Sequence, residues 1–379
     1  MHWDKKLLKN LNINIPLIVI LLIALGFITI SSAVEINNPE GFGKIYLQKQ
    51  AVSIILGIIF IIVLQFVDYR LFKHYADMIY ISTVSILVIL LIIGQTVAGG
   101  KRWIELGPLN FQPSELAKIA FILVLASVLD NKSDDLEYLT GFIKPFTYFL
   151  VLFMLIILQN DLGTALVLLV IFIVMLYAAG ANTRFMIIIF GGTFAFLVLL
   201  ILLHIYLGLP LPYFQDYQLN RLIVFVNPGV DPYGIGYNII QSKIAVGSGK
   251  LMGKGLFEGT QNQLNFLPEK HTDFIFSVLG EEFGFLGVLA LLLLYLFLLW
   301  EILQIARQAK DNYGSLVTVG IAAMFLFHII ENIGMTMGVM PITGIPLPFI
   351  SYGGTYMVIS LIAIGLVINI NLRKKKILF

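Results

Sequence analysis

Glu115 and Lys118 stand three residues apart in a segment that is otherwise mostly apolar. Ionisable groups inside a bilayer are costly, so each one is first treated as a candidate functional residue. At this spacing the two side chains share one helix face, and Pro113 and Ser114 before them indicate a helix start. Two interpretations fit. The pair neutralises itself and holds a helix bundle together, or Lys118 faces an outward cavity and receives an anion while Glu115 orients it.

Asp273 is the second candidate, because it ends a polar stretch just before another apolar run. An Asp at this place would cap a helix and favour the positive end of its dipole, although Thr272 could cap it equally well. A carboxylate at the mouth of a helical bundle is also where a general base would take a proton from a substrate hydroxyl. The sequence leaves both roles open.

Four further ionisable residues lie in apolar segments. Glu281 and Glu282 point about 100° apart on a helix, so both cannot face one cavity, and we expect at least one of them to support structure. His328 and Glu331 are three residues apart and share a helix face. For them we expect a hydrogen-bonded structural pair, with a proton relay as the alternative.

Other chemical signals in the sequence fail. The glycine-rich segment 247–255 lacks the spacing of a P-loop and the Ser or Thr that follows its lysine. The chain has no Cys, which excludes disulfides, thiolate metal sites and cysteine nucleophiles. No paired His residues have the spacing of a zinc site, and a net charge of +2 is too small to indicate nucleic acid.

The composition indicates that these residues are positioned by membrane-spanning helices. Hydrophobic residues make up 59% of the 379 and charged residues 12%, against about 45–50% and about 25% in soluble proteins. Apolar runs long enough to cross a bilayer lie near 15–33, 50–67, 77–97, 114–130, 145–159, 162–180, 184–207, 273–302, 314–338 and 352–370. The first is interpreted as an uncleaved anchor. We predict an all-α, polytopic integral membrane protein with ten transmembrane helices in a single domain, 1–379.

The basic residues predict the orientation of the chain. With ten spans both termini share one side, and most Lys and Arg in the short connections fall on that side. The opposite short connections hold only Lys44, Lys49, Lys101 and Arg102. Both termini are therefore predicted to be cytoplasmic. Segment 208–272, between the seventh and eighth spans, becomes a large extracellular loop with a short amphipathic helix at 238–246 at the membrane interface.

The candidate residues belong to longer motifs. In chain order these are Gly99-Gly-Lys-Arg-Trp-Ile104, Gln112-Pro-Ser-Glu-Leu-Ala-Lys118, Gln159-Asn-Asp-Leu-Gly-Thr164, Gly236-Tyr-Asn-Ile-Ile-Gln-Ser-Lys-Ile-Ala-Val-Gly-Ser-Gly249, Leu267-Pro-Glu-Lys-His-Thr-Asp-Phe-Ile-Phe276 and Pro341-Ile-Thr-Gly-Ile-Pro-Leu-Pro-Phe-Ile-Ser-Tyr-Gly-Gly354. In this order the set resembles the SEDS family of shape, elongation, division and sporulation proteins over essentially the whole chain. Gly259-Thr-Gln261 and the segment from Pro341 are most similar to the elongation member.

The resemblance implies a peptidoglycan glycosyltransferase. Such an enzyme polymerises lipid II into β-1,4-linked glycan strands at the outer face of the bacterial cytoplasmic membrane, here during elongation and shape maintenance. The family's essential acid falls on Asp273, and its substrate-binding motifs fall on Lys101, Arg102, Trp103, Glu115 and Lys118. The implied partner is a class B penicillin-binding transpeptidase. A divalent cation, Mg or Mn, is a candidate cofactor, and no organic cofactor is expected.

Two other functions fit the same composition. A lipid II flippase would carry the substrate outward without polymerising it and would use polar groups through the full depth of the bilayer. A non-catalytic scaffold of the wall-synthesis complex would not depend on any of these side chains. A polymerase needs its polar residues near the outer face, where the predicted topology places Arg102, Glu115, Lys118 and Asp273.

Overall fold

The computed structural model describes residues 12–34, 42–97, 100–106, 109–130, 136–207, 221 and 223–374. Besides short helices such as Arg70–His74 and Thr260–Gln263, helices of more than ten residues lie at the ten predicted positions, together with one in the described part of the long loop. They are α1 Asn14–Ala33, α2 Phe42–Gln65, α3 Ala76–Ile93, α4 Pro113–Asp130, α5 Ile143–Leu158, α6 Leu162–Ala178, α7 Gly192–Leu207, α8 Ile235–Ser248, α9 Ile275–Gln308, α10 Asn312–Thr336 and α11 Gly354–Leu372. Helix α7 continues a short helix, Thr183–Met186, and a π-helical turn, Ile187–Gly191.

Within the described ranges, eight of the helices are long and apolar enough to cross a membrane. The fold is therefore that of a mostly helical, multi-pass membrane protein. Helix α6 is apolar but has 17 residues. Helix α4 has the length but carries three charged residues, Glu115, Lys118 and Asp130. Its side chains are buried almost all round, so Glu115 and Lys118 face protein and not lipid, and Asp130 at its end pairs with Lys73.

Two predicted boundaries were wrong. Helix α2 begins at Phe42, well before the predicted position 50, so Lys44 and Lys49 lie in its first turns and not in a loop. Helix α3 ends at Ile93, where Gly94 turns the backbone into an extended conformation. Helix boundaries follow local backbone geometry, which an apolar run does not specify.

A small antiparallel sheet departs from the predicted all-α fold. Strands β1 Gln95–Val97, β2 Gly100–Leu106 and β3 Leu109–Phe111 pair in the order β1-β2-β3. Residues 98–99 and 107–108, including Gly99 of the first motif, lie outside the described residues. Strands this short leave little periodic signal in a sequence. The sheet matters because β2 carries Lys101, Arg102 and Trp103.

Three helices form the buried centre of the bundle. Helices α4, α10 and α11 have most of their side chains buried, and α10 packs against α4, α6 and α9, while α11 packs along α2. A helix that is apolar all round belongs in such a position. The outer helices, such as α2 and α3, expose long rows of apolar side chains, as lipid-facing helices do.

The predicted long loop 208–272 is described only in part, because residues 208–220 and 222 lie outside the described residues. The described part contains the expected short helix as α8, which extends beyond the predicted 238–246 at both ends. Helix α8 packs against α9. The remainder of the segment leads to the turn that carries Asp273.

Candidate active site

A cavity of about 330 Å³ lies at one end of the bundle. The N-terminal ends of α4, α6 and α11 meet there with strand β2, with the turn before α9 and with the segment that follows α10. Polar and aromatic side chains form much of its lining: Arg102, Trp103, Gln112, Glu115, Asp161, Thr164, Glu269, Thr272, Asp273, His328, Tyr352, Thr355 and Tyr356. A concave site with convergent polar groups in an apolar protein is the usual form of a ligand or active site.

The cavity brings together four of the six site residues predicted from the sequence. Arg102, Trp103, Glu115 and Asp273 all line it. Lys118 lies behind the lining and reaches it through Glu115. Lys101 points elsewhere, since its ammonium donates to the backbone carbonyls of Leu91 and Ile92 at the end of α3.

The turn that carries Asp273 is held by backbone and side-chain hydrogen bonds. The Asp273 amide donates to the Glu269 carbonyl at 3.2 Å, and the Asn332 amide group donates to the Asp273 carbonyl at 2.9 Å. These bonds use the Asp273 backbone, which leaves its carboxylate for the cavity. On the opposite wall, Gly344 has a φ of +76°, and a Cβ there would lie 3.2 Å from the Asp273 carboxylate. A glycine therefore keeps this space open.

The helix-capping interpretation of Asp273 and Thr272 was wrong. Helix α9 begins at Ile275, its N-cap residue is Phe274, and no side chain caps it. The Thr272 hydroxyl instead donates to the Glu269 carbonyl at 3.2 Å. Asp273 therefore does not serve as a helix cap, and its place in the cavity lining favours the other interpretation, a general base.

Asp273 lies before α9, outside the membrane-spanning helices, and burial raises its pKa to about 6. The nearby negative charge of Glu269 raises the pKa further, while the positive charge of Arg221 and a hydrogen bond from Thr272 lower it. Burial has this effect because it disfavours the charged form. A carboxylate with this pKa is mostly ionised at neutral pH yet basic enough to accept a proton.

Glu115, Lys118 and His328 form a buried polar chain beside the cavity. The Lys118 ammonium lies 2.8 Å from a Glu115 carboxylate oxygen and 3.0 Å from His328 Nε2. Since an ammonium can only donate, Nε2 accepts, and Nδ1 then donates to the Pro346 carbonyl at 3.1 Å. Lys118 is only 1% exposed. The predicted ion pair is present, and the Lys118 ammonium also donates a hydrogen bond to His328 on α10.

The predicted pairing of His328 with Glu331 was wrong. Glu331 instead accepts from the Thr343 hydroxyl at 2.9 Å, and the His328 ring stacks on Tyr356. Helix periodicity places two residues on one face but does not specify which neighbouring element each side chain contacts.

Glu281 and Glu282 have structural partners, as predicted for at least one of them. The Glu281 carboxylate accepts from the Lys254 ammonium at 2.6 Å and from the Gln261 amide at 3.0 Å. Glu282 accepts from the Asn262 side chain at 3.2 Å and from the Ser32 hydroxyl. Both are buried, and both tie the long loop to the helix bundle.

Asp161 lines the cavity and belongs to the motif at 159–164, but it is not among the six site residues predicted from the sequence. It caps α6 by accepting from the Thr164 amide at 3.2 Å and also accepts from the Gln112 side chain at 3.1 Å. The interruption of two apolar runs at 159–161 was the available signal. Because Asp161 begins a membrane helix and also lines the cavity, it is a candidate site residue, and 159–161 is more than a connection between two spans.

Arg102 links the sheet to the same connection. Its guanidinium donates to the Gln159 carbonyl at 3.2 Å and to the Asn160 carbonyl. These bonds fix the side chain at the cavity wall. The guanidinium thereby contributes a positive charge to a lining that otherwise carries several carboxylates.

The family model of the cell cycle proteins FtsW, RodA and SpoVE matches residues 12–376. A relative from Trichlorobacter lovleyi, named probable peptidoglycan glycosyltransferase FtsW, is 37% identical and covers 96% of this chain and 94% of its own. The Escherichia coli K12 protein named peptidoglycan glycosyltransferase MrdB is 34% identical and covers 98% and 96%.

A solved structure shares the fold. It is described as showing the structural coordination of polymerization and crosslinking by a peptidoglycan synthase complex. One of its chains superposes with a TM-score of 0.79 at 31% identity and covers 96% of this chain and 98% of its own.

The helices and the carboxylate-lined cavity define a multi-pass membrane protein with a candidate active site at one end of its bundle. The chain belongs to the SEDS family. Its relatives include proteins named FtsW and MrdB at similar identity, so the resemblance to the elongation member in particular stays a prediction.

Proposed function

We infer that this chain is a peptidoglycan glycosyltransferase, and we propose that it polymerises lipid II into β-1,4-linked glycan strands during cell elongation and shape maintenance. Family membership and the names of full-length relatives support the activity. The observation that carries the substrate proposal is the Asp273 carboxylate, which lines a cavity beside Arg102 with a pKa of about 6.

The proposed reaction is a single displacement. The 4-hydroxyl of the GlcNAc on one substrate attacks the anomeric carbon of the MurNAc on the other, and the bond to the polyprenyl pyrophosphate breaks. Asp273 takes the hydroxyl proton as general base, and the bond electrons leave with the pyrophosphate. The transition state resembles an oxocarbenium ion, as in glycosidases. Attack from the opposite face inverts the anomeric centre and gives the β linkage.

Cationic groups near the cavity suit the departing pyrophosphate. Arg102 lines the cavity, and Lys118 lies behind Glu115. We propose that both stabilise developing negative charge, the first by contact and the second by orienting Glu115 and lowering its local negative potential. Trp103, in the same lining, would provide an apolar surface for a sugar ring or the lipid stem.

A divalent cation, Mg or Mn, fits the chemistry of the lining. No group of three metal-binding side chains occurs in the part of the chain that the structure describes. Magnesium is usually held by one or two carboxylates together with substrate phosphates, and Glu269 and Asp273 line one cavity. These two residues would hold it, in which case Asp273 would be a metal ligand instead of the general base. When bound there, the ion would neutralise charge on the pyrophosphate.

Ionisation of Asp273 predicts the pH dependence of the reaction. Either role for this carboxylate needs the ionised form, so polymerisation should fall below about pH 6, roughly tenfold for each further unit. Glu269→Gln removes a negative charge that raises the pKa of Asp273, so its acid limb should move to lower pH even where the loss of a metal ligand lowers the maximal rate. Initial rates of strand formation between about pH 5 and pH 8 measure this. Glu258→Gln, on an exposed part of the loop, is the control and should leave the limb in place.

We propose that all ten long helices cross the cytoplasmic membrane, with both termini in the cytoplasm and 208–272 outside. The positive-inside pattern supports this orientation, and it places the cavity at the outer face. In this Cys-free chain, Gly229→Cys should react with an impermeant thiol reagent in intact cells stripped of any outer barrier, while Lys132→Cys should not. The reverse labelling pattern would place the cavity inside the cell and refute the proposed site.

We propose that the chain works beside a class B penicillin-binding transpeptidase. A related chain forms part of a peptidoglycan synthase complex that couples polymerization and crosslinking.

The leading alternative, a lipid II flippase, is favoured by buried polar groups along the helices. Of these, Glu281 and Glu282 bind the long loop, and Glu331 binds Thr343, which gives them structural roles. The deciding experiment is polymerisation of purified lipid II by the purified protein, with and without its transpeptidase partner. Glycan strands on a gel support the polymerase. Transfer of lipid II across liposomes without strand formation would favour the flippase, and neither activity would favour a scaffold.

A further inference from the structure

Helix α9 is interrupted at Gly284, where the backbone takes a φ of 64° and a ψ of −163°. An interruption of this kind releases the backbone groups on both sides from their places in the helical hydrogen-bond ladder. Inside a membrane such groups need partners from the protein, because lipid supplies none. The partners at this break come from the long loop.

The loop segment 250–257, termed the strap here, lies across the break. On the far side of the break, the Phe285 amide donates to the Lys250 carbonyl at 2.8 Å and the Leu286 amide donates to the Leu251 carbonyl at 3.1 Å. The second half of α9 is therefore capped by strap carbonyls.

The strap also satisfies the first half of α9. The Lys254 amide donates to the Glu281 carbonyl at 3.0 Å, and the Gly255 amide donates to the Glu282 carbonyl at 3.1 Å. A Cβ at Gly253 would overlap the Glu282 carbonyl, so the two backbones are in direct contact. Four backbone groups of the strap thus bond α9, and the Lys254 side chain also faces the helix, whereas several other strap side chains are exposed.

Those outward side chains are apolar. Leu251 is 65% exposed and Met252 is 77% exposed, and Leu256 and Phe257 are exposed as well. They continue a row of exposed apolar side chains on α9 that begins at the break: Phe285, Leu286, Leu289, Leu292, Leu293, Leu296 and Phe297. A contiguous apolar surface of this kind marks an interaction site.

The length of α9 places the break near the boundary of the bilayer. The part after the break, from Phe285 to Gln308, corresponds to about 36 Å, whereas the hydrocarbon core is about 30 Å thick. The part before the break is surrounded by protein, and lipid-type exposure starts at Phe285. The residues from Phe285 to Gln308 are enough to span the core by themselves.

We propose that the strap is a membrane anchor, which inserts Leu251, Met252, Leu256 and Phe257 into the lipid at the cavity side of the bilayer. Apolar side chains at a lipid boundary are stabilised by burial among acyl chains. Exposed Lys250 begins the strap, where a lysine can reach the phosphates of the headgroups. The glycine-rich motif, which the sequence analysis rejected as a phosphate loop, thereby gains a function that does not depend on the proposed reaction.

The anchor is connected to the turn that carries Asp273. The Lys254 ammonium binds the Glu281 carboxylate at 2.6 Å, which also accepts from the Asn262 amide at 3.2 Å. Lys270, which lies three residues before Asp273, then donates from its ammonium to the Asn262 carbonyl at 2.6 Å. Polar contacts thus link the strap continuously to the turn that carries Asp273.

Spin labelling tests the anchor directly, because the chain has no native cysteine. Labels are placed at Met252→Cys and Leu256→Cys in the purified protein, without any partner, in nanodiscs of phosphatidylethanolamine and phosphatidylglycerol. Power saturation with oxygen, which collects in lipid, and with a nickel chelate, which stays in water, reports the surroundings of each label. Phe285→Cys is the lipid reference. Tyr233→Cys, at a loop residue that is 95% exposed, is the water reference.

The expected result is that labels at both strap positions have an oxygen-to-nickel accessibility ratio close to that of the Phe285 label and well above that of the Tyr233 label. A ratio equal to that at Tyr233 would place the strap in water, leave its apolar face for a protein partner and overturn the proposal. Poor access to both reagents would mean that protein covers the strap and would overturn it equally. Size-exclusion profiles matching the parent protein show that each labelled variant is folded.

Discussion

Asp273→Asn should abolish nearly all glycan polymerisation while the protein folds, reaches the membrane and binds its partner. The amide preserves the volume of the side chain, and the hydrogen bonds that hold this turn use the Asp273 backbone, so they remain. An amide cannot accept a proton as a carboxylate does. General-base contributions are typically about 10²–10⁴-fold, and a loss of that size is expected in gel analysis of strands made from lipid II.

Two neighbouring changes serve as controls for Asp273→Asn. Asp273→Glu keeps the charge but moves the carboxylate by roughly 1 Å, and misplacement on that scale can cost about 10²-fold. Thr272→Ala removes a hydroxyl that bonds Glu269 and lowers the pKa of Asp273, so it should move the acid limb to higher pH and cost far less activity at neutral pH than Asp273→Asn. Substantial polymerisation by well-folded Asp273→Asn protein would remove Asp273 as the base and reopen the flippase and scaffold interpretations.

Lys118→Ala should reduce polymerisation far more than Lys44→Ala. Lys118 is buried between the Glu115 carboxylate and His328 beside the cavity, whereas Lys44 is exposed in the first turn of α2. Loss of a preorganised cationic contribution typically costs about 10²–10³-fold in rate. Strand formation at matched membrane levels of the two variants measures the difference.

Misfolding must be separated from this catalytic loss. Removing Lys118 alone leaves the Glu115 carboxylate buried and unpaired, which typically costs about 3–5 kcal/mol of stability. The double change Glu115→Gln with Lys118→Met removes both charges and should restore thermal stability. Stable protein without polymerisation supports a functional pair, whereas stable protein with near-normal polymerisation would reduce the pair to a structural salt bridge.

The sequence by itself determined the class of the protein and the positions of its helices. Burial of long apolar runs in lipid is a local property, because the bilayer is the same solvent for every span. For this reason a helix lies at each predicted position. Glu115 and Asp273 stand out in the sequence as ionisable residues in or beside apolar segments. Arg102 and Trp103 are selected only because their motif resembles that of the SEDS family.

Contacts between distant segments were decided only by the tertiary structure. Helix periodicity predicted a contact between His328 and Glu331. In the structure α10 packs against α4, and His328 instead accepts a hydrogen bond from Lys118. The sheet that carries Arg102 consists of strands too short for a periodic signal.

The break in α9 was equally hidden, because Gly284 is one glycine among many and its partners lie about thirty residues earlier in the long loop. Residues far apart in the chain meet only when packing brings their elements together. The pattern within each element constrains which face is buried, and it does not specify what that face is buried against.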